Sequence, residues 1–154
     1  MRAASITICL LAAGLTFRAT AADSGVRAEY IGGTRGEIQP GDTGTLQATD
    51  ERYLVFYSKR GNLRVPYERV NVLEYGQKVD RRYVIAVLIS PALMLAKKRQ
   101  HFLTVGYVDD EGREQALIFK VDKSGIRVAL VSLEARTGRK VQYQDDEARK
   151  AGRG

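Results

Sequence analysis

Seven short apolar runs, each closed by glycine, proline, asparagine or acidic residues, come before the one stretch with a helical period, and that succession limits the fold of this 154-residue chain more than any other feature. Val26 to Ile31 opens the series and ends at Gly32-Gly33, followed by a polar loop from Thr34 to Asp42. Thr43 to Thr49 places Gly44, Leu46 and Ala48 on one side and Thr45, Gln47 and Thr49 on the other, the pattern of a half-buried strand. Tyr53 to Ser58 is apolar on both faces and rich in aromatic and β-branched residues, which at that length predicts a buried strand. Lys59-Arg60-Gly61-Asn62 reads as a tight turn that uses positive φ, returning through Leu63, Val65 and Tyr67, with Pro66 at a strand end or edge. Val70 to Tyr75, His101 to Val108 and Glu114 to Val121 complete the seven, the last two joined through Asp109-Asp110-Glu111-Gly112.

The period then changes. In SGIRVALVSLEARTGRK, Ile126, Ala129, Leu130 and Leu133 recur at helical spacing, with Ser124 or Asp122 as candidate N-cap and Gly138 as the stop. Val141 to Tyr143 adds a short extended piece, and Gln144 to Gly154 is charged and poor in apolar residues, hence a loose tail. The expected fold class is mainly β: a seven-stranded antiparallel barrel or sandwich with one C-terminal α-helix over an open end and an apolar, helical insertion between strands 5 and 6.

Between the fifth and sixth strands lies an insertion such a shell does not need, DRRYVIAVLISPALMLAKKRQ, residues 80–100. From Tyr83 to Ala96 its 14 residues carry one polar side chain, Ser90. A spanning helix needs roughly 20 apolar residues. Pro91 divides the run into two arms or starts a helix of its own. Arg81, Arg82, Lys97, Lys98 and Arg99 fence an apolar set of Val84, Ile85, Val87, Leu88, Ile89, Leu93, Met94 and Leu95. Strand parity, counted as simple up-and-down, puts this insertion at the same end as Arg35, Lys59 and Arg60.

The first 22 residues read as an export signal, with Arg2 as n-region, an apolar stretch from Ala3 to Phe17, and a small-residue cleavage site at Ala19, Ala21 and Ala22. The alternative is an uncleaved anchor helix. Cleavage leaves about 132 residues, enough for one modest core over 23–143 and the tail 144–154. Cys9, the sole cysteine, leaves with the signal, so thiol and disulfide chemistry are excluded; LAAG is followed by Leu15 where lipidation needs cysteine. Loss of Arg2 and Arg18, unmatched by any acid before Asp23, lowers the formal charge from +7 to +5. A basic exported chain in periplasm or cell envelope favours anionic partners.

In element order the chain resembles the pleckstrin-homology-like superfamily, and in compactness the GRAM and bacterial PH-type modules. The segments that carry the resemblance are TGTLQATDERYLVFY, NLRVPYERVNVLEYG, HFLTVGYVDDEGREQALIFKV and SGIRVALVSLEARTG, within Val26 to Val141. It implies a small barrel with a helical plug. Members often hold phosphoinositide head groups through bases on the first two strands and their loop; here that loop offers Arg35 and the second strand offers none, so the ligand stays open.

No catalytic constellation is present, and the expectation is a non-enzymatic binding or scaffolding module without cofactor. Its contact surface is the basic, apolar insertion together with Lys59, Arg60 and Arg35, facing either an anionic lipid surface or an envelope protein or second copy. The third alternative is that the insertion packs along the barrel wall. Asp109, Asp110 and Glu111 form either a Ca²⁺ site or an ordinary acidic turn, and without EF-hand spacing the turn is favoured, so no metal is expected. His101, the only histidine, lacks a nucleophile pattern and reads as structural. Export argues against nucleic acid as the partner of the tyrosines.

Overall fold

The computed structural model describes residues 25–78 and 100–153. Eight strands, β1 (Val26–Gly33), β2 (Thr43–Gln47), β3 (Tyr53–Ser58), β4 (Asn62–Pro66), β5 (Val70–Gly76), β6 (Phe102–Val108), β7 (Glu114–Val121) and β8 (Gln142–Tyr143), form one sheet in the order β4-β3-β2-β1-β7-β6-β5-β8. A 3₁₀ turn, Tyr67–Arg69, joins β4 to β5, and two helices follow the strands, α1 (Ile126–Thr137) and α2 (Asp146–Arg153). The protein is thus mainly β, as its sequence predicts, and the runs read as strands from local pattern are strands, β3 and β7 with the predicted limits.

The sheet bends back on itself. The rings of Phe56 on β3 and Phe119 on β7 lie 5.1 Å apart. In a flat sheet three strand spacings, about 14 Å, would separate them. Tyr30 joins the same cluster with its ring 5.8 Å from that of Phe119. A shift of register in β1 between Tyr30 and Gly32, and another in β5 between Val70 and Val72, mark the bends. Alternation sends Leu54, Phe56, Leu63, Val65, Leu73, Leu103, Val105, Leu117 and Phe119 into one core with Ile126, Ala129, Leu130 and Leu133 of α1. Ile31, Val55 and Ile118, outside that core cluster, are buried too, which accounts for strands apolar on both faces.

Three expectations are corrected. The sheet is mixed rather than antiparallel throughout, because β8 pairs parallel to β5 through Glu74–Gln142 and Tyr75–Tyr143. The tail, read as loose, contains α2. Its first turn is capped by the Asp145 carboxylate, which accepts from the Ala148 N–H at 2.6 Å, and its small face, Ala148 and Gly152, is buried beneath Tyr143, Leu130 and Tyr75. The turn after β3 uses no positive φ at Gly61; the Ser58 hydroxyl accepts from the N–H groups of Arg60 and Gly61, both at 3.2 Å.

Neither Ser124 nor Asp122 caps α1 with its side chain. Gly125 is the N-cap, and the Asp122 carbonyl accepts from the N–H groups of Gly125 and Ile126. Glycine stands there because a Cβ would collide with Val26 Cγ1. At the far end Gly138, φ 67°, closes the helix by donating its N–H to the Glu134 carbonyl at 3.0 Å, as predicted. The Gly125→Ala variant should lose about 1–3 kcal/mol of stability by overpacking against Val26. Urea melts check this, and Val26→Ala in the same chain should lessen the penalty of the second change.

Candidate functional site

Strand direction decides which loops share an end. β1 runs antiparallel to both β2 and β7, β7 to β6, and β6 to β5, so β4 and β5 run in the same sense within the sheet. The β1–β2 loop, the β3–β4 turn and the β6–β7 turn therefore gather at one end. Arg60 pairs there with Asp42 at 3.0 Å, the Thr34 N–H donates to the Ala116 carbonyl at 3.0 Å, and Arg69 at the start of β5 pairs with Asp110.

The two roots of the β5–β6 connection lie elsewhere. Gly76 pairs with Phe102, and the Val121 N–H donates to the His101 carbonyl at 2.8 Å, beside the β7–α1 junction and the start of β1. From Arg35 they are separated by the length of β1, about 20–25 Å. This corrects the parity expectation. The count failed because the 3₁₀ turn joins two strands that are not neighbours in the sheet and so consumes one reversal.

Of the sequence-derived contact residues, Arg35 lies in the β1–β2 loop with its guanidinium donating to both Glu37 carboxylate oxygens at 2.5 and 3.1 Å. Lys59 and Arg60 occupy the exposed β3–β4 turn. Residues Arg81, Arg82, Val84, Ile85, Val87, Leu88, Ile89, Leu93, Met94, Leu95, Lys97, Lys98 and Arg99 lie outside the described residues, as do Ala19, Ala21 and Ala22.

At the β7–α1 junction beside the roots, Asp122, Lys123 and Arg127 are exposed. Lys123 is close enough to His101 to disfavour its protonation, Arg127 follows one turn later, and Val128 and Val131 are 57% and 65% exposed on the outer face of α1. The helix thus exposes two valines opposite its buried face, which its inner periodicity did not reveal in sequence. Among the described residues no helix is long and apolar enough to cross a membrane.

His101 has a structural setting. Its Nδ1 lies 2.5 Å from the Tyr75 hydroxyl, and the two rings stack with 7° between their planes. Burial pushes the Tyr75 phenol up to about 12, so it keeps its proton, and the imidazole tautomer sets which of the two groups donates. Burial, and then Lys123, hold the imidazole below its ordinary value. The acidic turn is self-contained: Asp109 accepts from the N–H groups of Glu111 and Arg113, from the Arg113 guanidinium at 2.9 Å and from Gln115 at 2.7 Å. Partial desolvation alone would raise its carboxyl, but these donors hold it at about 2. Among the described residues no group of three or more His, Cys, Asp or Glu side chains could hold a metal ion.

One concavity was not foreseen. A cleft of about 640 Å³ opens over the 3₁₀ turn, between the β2–β3 turn, the end of β4, the β6–β7 turn and the C-terminal end of α1. Arg35, Arg52, Arg64, Arg69 and Arg136 stand on its walls with Glu51, Glu68, Asp109 and Asp110. Beneath them are Tyr67 and Tyr107. No spacing in the sequence joins these residues, since they come from four separate connections and from β4, β6 and α1. Compared with known proteins, the chain matches no family model and no curated protein.

A pH series follows from His101. Its folded value is depressed, so the unfolded chain binds the proton more readily and stability falls as pH drops through about 6.5, the unfolded value. Thermal melts from pH 7.5 to 5.5 should show a falling midpoint, and His101→Gln should flatten that part of the curve. The carboxylate of Asp109 acts lower, between about 4 and about 2.

Proposed function

We propose that this chain is an exported, non-enzymatic binding module of PH/GRAM-like architecture that docks on an anionic membrane surface. The observation that carries the reading is the position of the insertion's roots at the β7–α1 junction, where Lys123 lies close to His101 and α1 begins, the helix that exposes Arg127, Val128 and Val131. Cations near an anionic bilayer contribute about 1 kcal/mol each, and apolar side chains that enter the interface add to that. The insertion supplies five further bases and eight large apolar residues in sequence. A folded-back sheet with a helix in its core supports the PH-like barrel, and the leader before Asp23 supports export to periplasm or envelope. The docking surface is thus the insertion with the outer face of α1, and Arg35, Lys59 and Arg60 stand apart from it.

Co-sedimentation with vesicles of neutral phosphatidylcholine, with and without anionic phosphatidylglycerol, tests this. The purified protein should pellet with the anionic vesicles only, and less as salt rises from about 0.05 to 0.5 M. Deletion of residues 81–99, or Lys123→Glu with Arg127→Glu, should abolish pelleting while the thermal midpoint of the charge variant holds. No pelleting by the intact protein, or equal pelleting by the variants, overturns the reading. A deletion variant that loses its fold shows the insertion to be part of the wall, and the charge variant then decides.

A further inference from the structure

His101, the only histidine of the chain, is held on a rigid support directly before Phe102, at a root of the β5–β6 connection. Its carbonyl accepts from the Val121 N–H at 2.8 Å, and its Nδ1 lies 2.5 Å from the hydroxyl of Tyr75, a residue with no exposed surface. Tyr75 is itself fixed by the edge of the Tyr143 ring, 6.0 Å between centroids, and by the close approach of Gly152 in α2. A phenol hydroxyl both donates and accepts, whereas an imidazolium only donates. The contact therefore survives either charge state: in the neutral ring the tautomer sets the donor, and the protonated ring donates through Nδ1 to the phenol oxygen. Proton uptake thus changes the charge in place, on a ring that is half-buried.

The surrounding groups leave that charge without a partner. From β5 come Tyr75, whose buried phenol stays uncharged, and Lys78 beyond Gly76. The β7–α1 junction brings Lys123 with Asp122 exposed beside it, and Arg127 follows on α1. On β7, Lys120 lies opposite Phe102 and is paired with Glu29 at 2.5 Å. From the β8–α2 corner come Tyr143 and Asp145, and the Asp145 carboxylate acts on Tyr75 while accepting from the Ala148 N–H. Among the described residues no carboxylate pairs with His101. An anionic surface supplies the counter-charge that these elements do not. By reciprocity, the factor by which the surface favours the proton is the factor by which the proton favours the surface.

We propose that His101 makes the docking surface acid-responsive, its imidazolium strengthening attachment to an anionic bilayer as pH falls. This regulation presupposes the membrane docking proposed above and adds to it a dependence on acidity. Burial, and then Lys123, hold the imidazole below its ordinary value of about 6.5, so the ring is neutral at pH 7.5 and charges only as pH drops through that value and lower. Contact with the bilayer favours the charged ring, and attachment tightens over the same interval. One added cation near an anionic surface corresponds to about a fivefold gain in affinity. Carboxylates of ordinary strength titrate near about 4, and lysine and tyrosine above about 10, so between them the imidazole is the side chain that responds.

Co-sedimentation of the purified protein with vesicles of phosphatidylglycerol and phosphatidylcholine, at constant salt from about pH 7.5 to about 5.0, tests this. The lipid phosphodiester keeps its charge over that range. The parent should bind about fivefold more tightly at the acid end, and His101→Gln should lose the gain. The α-amino group also titrates there, but it is common to both proteins. Proton NMR of the single imidazole gives a second reading that needs no variant: its midpoint should lie below about 6.5 in the free protein and rise when short-chain phosphatidylglycerol is added. Where His101→Gln proves too unstable to compare, that midpoint decides. Equal pelleting of the parent at both ends of the range, an equal gain in His101→Gln, or a midpoint unmoved by lipid overturns the acid response and leaves membrane docking standing. Pelleting of the parent at no pH overturns both.

Discussion

The contact between Phe56 and Phe119 is the constraint on which the rest of this structure depends. It can exist only if the sheet folds over, so that β3 and β7 face each other across the core instead of lying three places apart in a plane. Closure of this kind leaves one end open to apolar side chains. The inner face of α1, with Ile126, Ala129, Leu130 and Leu133, fills that end and completes the core. Burial of the isoleucine and the two leucines contributes about 1.5–3 kcal/mol each. The helix is therefore part of the core rather than an attachment, and its tight start at Gly125 against Val26 is where helix and first strand are locked together.

A fold closed in this way has to carry the chain from one half of the sheet to the other without a hairpin. Tyr67–Arg69 does so in a single 3₁₀ turn, and the consequences are larger than its three residues. The turn decides that the β5–β6 connection leaves beside α1 and not beside Arg35, which separates the insertion from the bases with which strand counting had grouped it. It also leaves β4 and β6 apart at their ends, and the cleft forms in that gap. The surface proposed for membrane docking and the cleft thus lie at opposite ends of α1, the N-terminal end with Lys123 and Arg127, the C-terminal end with Arg136.

α2 shows how a small helix can hold without large apolar residues. Ala148 and Gly152 let its backbone approach Tyr75, Tyr143 and Leu130 closely, and Arg153 stacks over the Tyr143 ring at 5.2 Å. The segment was unreadable by hydrophobic periodicity because its buried face consists of the smallest side chains. Its cap was legible, however: Asp145 precedes Asp146 and Glu147, and Lys150 and Arg153 follow in the last turn, the charge order a helix dipole favours.

Alternation of apolar and polar residues, turn residues at strand ends and the glycine stop at Gly138 determined the strands, the main helix and the mainly β class from the sequence alone, since each depends on backbone preferences and burial within a few residues. The tertiary structure alone decided the parallel eighth strand, the docking of α2, the end from which the insertion leaves, and the assembly of Arg52, Arg64, Arg136, Tyr67 and Tyr107 around one cleft. These depend on which non-consecutive strands pair and on how far the sheet bends. Pairing of that kind is settled by the summed packing of residues distant in the chain, and no local spacing records it.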